Sequence, residues 1–171
     1  MKPAKTFTIQ RANFEDMKKI ARFINSSAEW YRPIVDPKDM PEHCVDQKWM
    51  KKNYEMRDFY IGTDDKKNDV GTISMQYFGK QTYLGYIYLD ASHVGKGHGK
   101  RLMDFAKFMS EKKGQDSMIL IAHPDAKWAI KAYEKYGFTK KFEKKKDILQ
   151  YKDGLMKPYY EEGFHLYEYK L

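Results

Sequence analysis

Apolar residues recur along this chain at two alternating spacings. Residues 7–11, Phe-Thr-Ile-Gln-Arg, predict a first strand. Met17, Ile20, Ala21 and Ile24 then fall at i, i+3, i+4 and i+7, which is one face of a helix. Asn13 is placed to cap that helix, with Glu15 and Asp16 in its first turn. Residues 26–37 carry no period and predict a loop that presents Trp30 and Tyr31. Pro41 suits the first turn of a second helix whose inner face holds Val45, Trp49 and Tyr54. Residues 59–62 and 70–78 predict paired strands around the polar turn 64–69. Gly79 and Lys80 turn into a further strand that runs to Leu89.

Beyond residue 99, Leu102, Phe105, Ala106 and Met109 form another helical stripe, which Gly114 ends. Residues 117–122 read as a buried strand. A helix from about Asp125 to Tyr136 follows, with Ala126, Ala129, Ile130 and Tyr133 inward and Gly137 as its stop. A basic strand around Phe142 and an alternating strand over 164–171 close the pattern. Residues 148–163 are longer than a hairpin turn needs and are placed to cover a pocket. No repeat or low-complexity linker interrupts the chain, so residues 1–171 read as one domain of order β-α-α-β-β-β-α-β-α-β-β.

Chemistry concentrates at residues 84–103. There an apolar, aromatic run meets the glycines Gly95, Gly97 and Gly99 and opens into the helix. Glycine lets backbone approach a ligand with no Cβ in the way. The free N–H groups and dipole at the helix start favour an anion, and Lys96, Lys100 and Arg101 add positive charge there. A phosphate or pyrophosphate is the natural guest. The P-loop pattern fails, because Val94 stands at its first glycine and Arg101 at its Ser/Thr. The Rossmann turn fails because the glycines alternate and no parallel first strand opens the chain.

Val94-Gly95-Lys96-Gly97-His98-Gly99 resembles the [QR]-x-x-G-x-[GA] turn with which GNAT acetyltransferases bind acyl-CoA. It departs from that turn at Val94. Downstream, Ala129, Tyr133 and Gly137-Phe138 resemble the family's strand–N-x-x-A-x-x-x-Y-x-x-x-G-F signature, with Ala126 where the family often has Asn. The resemblance implies an α/β (α+β) GNAT fold, a mixed six- to seven-stranded central sheet flanked by about four helices. It implies an N-acetyltransferase that moves acetyl from acetyl-CoA directly to an amine, either a small molecule or a peptide N-terminus. It places the coenzyme A pyrophosphate at Gly95, Lys96, Gly97, His98, Gly99 and Lys100. The pantetheine arm lies along Ile87, Tyr88 and Leu89, with Ala126 and Tyr133 also at the cofactor. The competing reading is a CoA-binding regulatory module without turnover, kept open by Val94, Ala126 and the Ile121 discussed next.

Acetyl transfer requires a proton donor for the leaving thiolate and a proton acceptor for the amine. Tyr133 is the candidate acid, since a phenol of pKa about 10 is protonated at neutral pH. Some relatives carry Glu on the strand before this helix, where Ile121 stands here. The remaining candidate bases are Asp90, His93, Asp125, Glu29 and His123; His123 suits the task best by pKa. A water chain with no single base is an equal alternative. Cys44 reads as a small buried core residue.

Composition adds limits. Hydrophobic residues make up 42% and aromatics 16% of 171 residues, enough for a sizeable core. The single cysteine excludes an internal disulfide and fits a reducing cytoplasm. Residues 1–6 lack the apolar segment of a secretory leader, and no run is long enough to span a membrane. The net charge of +8 gathers late, at Lys140, Lys141, Lys144, Lys145, Lys146, Lys152 and Lys157. Protective lysines on a strand edge come first as an explanation, steering of a polyanionic cofactor second, nucleic-acid binding third. No zinc-ligand spacing or RNA-binding aromatic motif is present, so no metal and no nucleic acid are expected; the chain is expected to act as a monomer or homodimer.

Overall fold

The computed structural model describes residues 6–171, and the leader-free reading of residues 1–5 lies outside them. The fold is organised on its longest strand, β3 (Asp69–Phe78), buried along nearly its whole length. β2 (Asp58–Thr63) pairs with it antiparallel, and β1 (Thr8–Arg11) extends the sheet beyond β2. On the other edge of β3 lie two short strands, β4 (Gln81–Tyr83) and β5 (Ile87–Leu89). β4 continues parallel to β6 (Ser117–Ala122); β6 is antiparallel to β8 (His165–Lys170), and β8 to the edge strand β7 (Thr139–Phe142). The sheet has eight strands in the order β1-β2-β3-β4-β6-β8-β7, with β5 on β3.

Helices cover both faces. On one, α1 (Met17–Asn25) and α3 (Gln47–Met56) pack Met17, Ile20, Ile24 and Trp49 against Phe59, Ile61, Tyr86 and Tyr88. On the other, α4 (His98–Lys112) and α5 (Lys127–Tyr136) pack Leu102, Ala106, Ile130 and Tyr133 against Tyr60, Ile73, Met75 and Leu120. Phe59 and Ile61 facing one layer and Tyr60 the other is the period-two alternation of a strand buried on both sides. Ser110 Oγ donates to Thr82 Oγ1 at 2.9 Å and ties α4 to β4.

Several expectations need correction. The strand read as one unit up to Leu89 is two, which raises the strand count from the six or seven expected to eight. The cause is local: Ser74 N–H donates to Tyr86 C=O at 2.9 Å, while Tyr86 N–H is taken by the Ser74 side chain at 2.8 Å. A hydroxyl replaces a backbone acceptor, and residues 84–86 bulge out of the ladder. Pro41 does not open a helix; it lies in a 3₁₀ turn, Pro37–Glu42. α3 starts later, where Asp46 accepts the Trp49 N–H at 2.9 Å as a side-chain cap. That shift in phase turns Asn53 inward and leaves Tyr54 exposed. Cys44 lies outside any helix and is exposed, not buried. Within the expected 26–37 loop, α2 (Ala28–Tyr31) forms a single turn, and α6 (Lys145–Gln150) was not foreseen. Asn13 does not cap α1, whose N-cap is Asp16 without a side-chain bond; its Oδ1 accepts the Asp16 N–H and Asp16 Oδ2 accepts the Asn13 N–H, each at 3.0 Å, closing the turn before the helix.

Candidate active site

The bulge that divides β4 from β5 also opens the sheet. Leu84 N–H still reaches Ile119 C=O at 2.9 Å. Beyond that bond β5 stays with β3 while Leu120–Ala122 stay with β8, and the facing edges of β5 and β6 share no ladder. Backbone donors and acceptors therefore line a gap in mid-sheet, free to pair with an extended ligand. A cavity of ≈ 240 Å³ fills the gap. Tyr31, His43, Tyr88, His123, Tyr133 and Glu161 line it, drawn from six separate stretches of chain.

Tyr133 stands on α5 at the wall of this cavity, its ring packed edge-on to Phe138 at 6.0 Å. Its hydroxyl has no hydrogen-bond partner among the described residues, and burial pushes the phenol well above its ordinary pKa. The same lining holds a chain of bonds that the sequence did not reveal. His43 Nδ1 meets Tyr88 Oη at 2.6 Å, and His43 Nε2 meets Glu161 Oε1 at 2.6 Å. A carboxylate only accepts, so Nε2 donates to Glu161 and Nδ1 accepts from Tyr88. Burial raises the Glu161 carboxyl, outweighing the lowering effect of His43. Burial also raises the phenols that complete this wall, Tyr88 well above its ordinary value and Tyr31 to about 12.

His123 is in the cavity wall too, but its Nδ1 accepts the Asp125 N–H at 3.1 Å. Burial holds the ring below its ordinary pKa, so it is neutral near pH 7 with its proton on Nε2. In that tautomer Nε2 carries the proton, beside Gly163, and Nδ1 is engaged by the Asp125 N–H. The other candidate bases lie elsewhere. Asp90 bonds to Ser92 and His93 at the surface, Glu29 to Arg32, and Asp125 is exposed.

The glycine turn lies at the start of α4. Gly95 and Gly97 adopt φ of 84° and 82°, the left-handed region that a side chain resists. Among the described residues, no protein acceptor meets the N–H groups of Lys96, Gly97, His98, Gly99 and Lys100. A Cβ on Gly99 would meet only Leu89, at 3.9 Å, so the space above that residue is open. His98 offers its backbone alone, since its ring is buried and stacks on Phe7 at 5.4 Å. Lys100 is drawn to Asp104 at 2.9 Å, whereas Lys96 is exposed and makes no ion pair among the described residues. Ile87 and Leu89 lie half-buried on β5 at the gap, with the buried Tyr88 between them. Ala126 is fully buried at the start of α5 and supplies no side-chain cap.

The family model of the acetyltransferase (GNAT) domain matches residues 55–140, which run from the end of α3 to β7 and contain both the gap and the glycine turn. The chain belongs to the GNAT acetyltransferases. A similar curated protein is "Putative phosphinothricin acetyltransferase YwnH" of Bacillus subtilis, 25% identical over 138 residues, covering 77% of this chain and 83% of the relative. Among solved structures, the PaiA N-acetyltransferase of Thermoplasma acidophilum in complex with coenzyme A has a TM-score of 0.73 at 18% identity, with 97% and 99% of the two chains covered. Spermidine N-acetyltransferase of Vibrio cholerae, in complex with CoA and spermine, has a TM-score of 0.63 at 16% identity, with 96% and 95% covered. These two share the fold.

This acetyltransferase therefore uses acetyl-CoA, and its residues suit the group. Unmet N–H groups at the start of α4 match a pyrophosphate. The unpaired edges of β5 and β6 match an amide-bearing arm. No helix among the described residues is long and apolar enough to cross a membrane. His43, Glu161 and Arg57 are functional candidates that sequence reasoning passed over. The one sequence signal for Glu161 was the surplus length of residues 148–163.

Proposed function

We propose that residues 1–171 form one catalytic domain that acetylates a small-molecule amine held between Tyr133 and Glu161. The observation that carries this reading is the pairing, across one cavity, of a protonated phenol without a partner and a carboxyl whose burial makes it more basic. Residues 158–161 line the cavity and cover it, which favours a compact amine over a peptide N-terminus. The N–H groups from Gly95 to Lys100 and the edge Ile87–Leu89 hold the cofactor, with Ala126 leaving room beside it. Bound acetyl-CoA supplies the activated acetyl thioester.

An alkylammonium has a pKa of about 10.4 and must lose a proton before it can attack. Glu161 takes that proton at Oε2, which has no partner among the described residues. Burial raises the carboxyl and brings its basicity nearer to the task. His43 fixes the other oxygen, and Tyr88 fixes His43. Tyr133 holds its proton on Oη for the departing sulfur. His123 acts as a donor from Nε2 that positions the acetyl acceptor. The enzyme works in the cytoplasm as a monomer or homodimer without nucleic acid. In support, Lys140, Lys141 and Lys145 on and beside edge strand β7 pair with Glu143, Glu168 and Glu162 instead of forming an open basic face. The test is a panel of amines and peptide N-termini with acetyl-CoA and thiol detection. Turnover of small amines alone supports the reading, and turnover of peptides alone overturns it.

A further inference from the structure

Arg57 is the residue of this cavity that the transfer chemistry leaves unused. It follows α3, is only 8% exposed, and lines the cavity. Its guanidinium lies over the ring of Tyr86 at 4.9 Å and over that of Tyr159 at 5.5 Å. No carboxylate pairs with it among the described residues, and its Nε is buried without any hydrogen-bond partner. A buried guanidinium donor left unpaired is costly unless a ligand accepts from it. Gly85 is what admits it: a Cβ there would lie 1.8 Å from Nη1. The bulge that opens the sheet thus also clears the path of this side chain into the gap.

The surrounding charges are of both signs. Glu42 accepts a bond from the Tyr86 hydroxyl, and Glu161 is bonded to His43. Neither forms an ion pair with the guanidinium; Asp39 adds to the acids and Lys52 to the cations of the lining, so the cavity carries both signs with Arg57 left unpaired among the described residues. An amine that also bears an anion would match both, its ammonium toward the acids and its anion toward Arg57. The planar fork of guanidinium favours a planar two-oxygen partner over a point charge.

We infer that the acceptor is a carboxylate-bearing amine of the amino-acid class, its carboxylate received by Arg57. This rests on the small-amine reading above and narrows it. The test is calorimetry with CoA present, using N-acetyl-L-alanine and N-acetyl-L-methionine, each against the N-acetylated amine that lacks the carboxylate. The wild type should bind the carboxylated member of each pair about 10- to 100-fold more tightly. Arg57→Met should erase that preference. Arg57→Lys, which keeps charge without the fork, should restore only part of it. Gly85→Ala, which leaves Arg57 intact but displaces it, should also erase it. Equal binding within each pair, including no binding of either at millimolar concentration, overturns the inference. Turnover of simple amines with no carboxylate preference overturns it while leaving the small-amine reading intact. A carboxylate preference without turnover of any small amine leaves Arg57 as a carboxylate-binding residue but overturns the small-amine reading, and with it the inferred acceptor.

Discussion

Replacing Tyr133 by Phe removes one oxygen and leaves the ring. The ring packs edge-on against Phe138 at 6.0 Å, and that contact is kept. The hydroxyl makes no protein hydrogen bond, so its loss breaks none and leaves no donor or acceptor stranded. The expected change in stability is under about 0.5 kcal/mol, or roughly 2 °C in Tm for a domain of this size. Catalysis should respond very differently. Losing a positioned general acid costs about 10²-fold or more in kcat, equivalent to ~2.7 kcal/mol of barrier. Affinity for CoA should stay within about threefold, because the phenol is required only as the sulfur departs. The assay is steady-state thiol release at saturating acetyl-CoA, with thermal melts and CoA titration on both proteins. A Phe variant with normal melting and a kcat within twofold of wild type would remove Tyr133 from the mechanism. A fall in Tm beyond about 5 °C would show that the hydroxyl has a structural partner.

Three further outcomes are expected. Gly99→Glu adds a negative side chain to the first turn of α4 without a left-handed backbone to strain; acetyl-CoA affinity should drop at least about tenfold with Tm unchanged, and wild-type affinity should weaken with salt through the exposed Lys96. Glu161→Gln keeps an acceptor for His43 but cannot take a proton, so kcat should fall about 10²-fold and the acid limb of the pH–rate profile, which sits above the ordinary carboxylate value in wild type, should disappear; an unchanged limb would assign the base elsewhere. Burial holds His98, His123 and His165 below their ordinary pKa, so the unfolded chain takes up protons first as pH falls. Their contribution is complete above about pH 6.5 and is lost as pH drops through the folded values, so Tm measured from pH 7.5 to 5 should decline, and His165→Asn should flatten the decline.

The amino-acid sequence determined most of the elements and the glycine turn by itself. The stripe Met17, Ile20, Ala21, Ile24 is buried on α1, and the stripe around Leu102 and Ala106 is buried on α4. Gly95 and Gly97 adopt the left-handed turn that their lack of a Cβ permits. Such features depend on sterics and burial period within a few residues, so they are written in the order of the chain. Tertiary structure decided the division of the strand before the glycine turn, because the Ser74 hydroxyl that meets Tyr86 N–H comes from a neighbouring strand. It also decided the partner of Glu161, which lies 118 residues from His43. No local pattern marks Arg57 as different from other arginines; only Gly85, Tyr86 and Tyr159, brought in by sheet order and by the covering segment, leave it buried and without an anion. Short-range sterics fix where strands and helices form, but hydrogen-bond partners and desolvation belong to whatever the fold brings within a few ångströms.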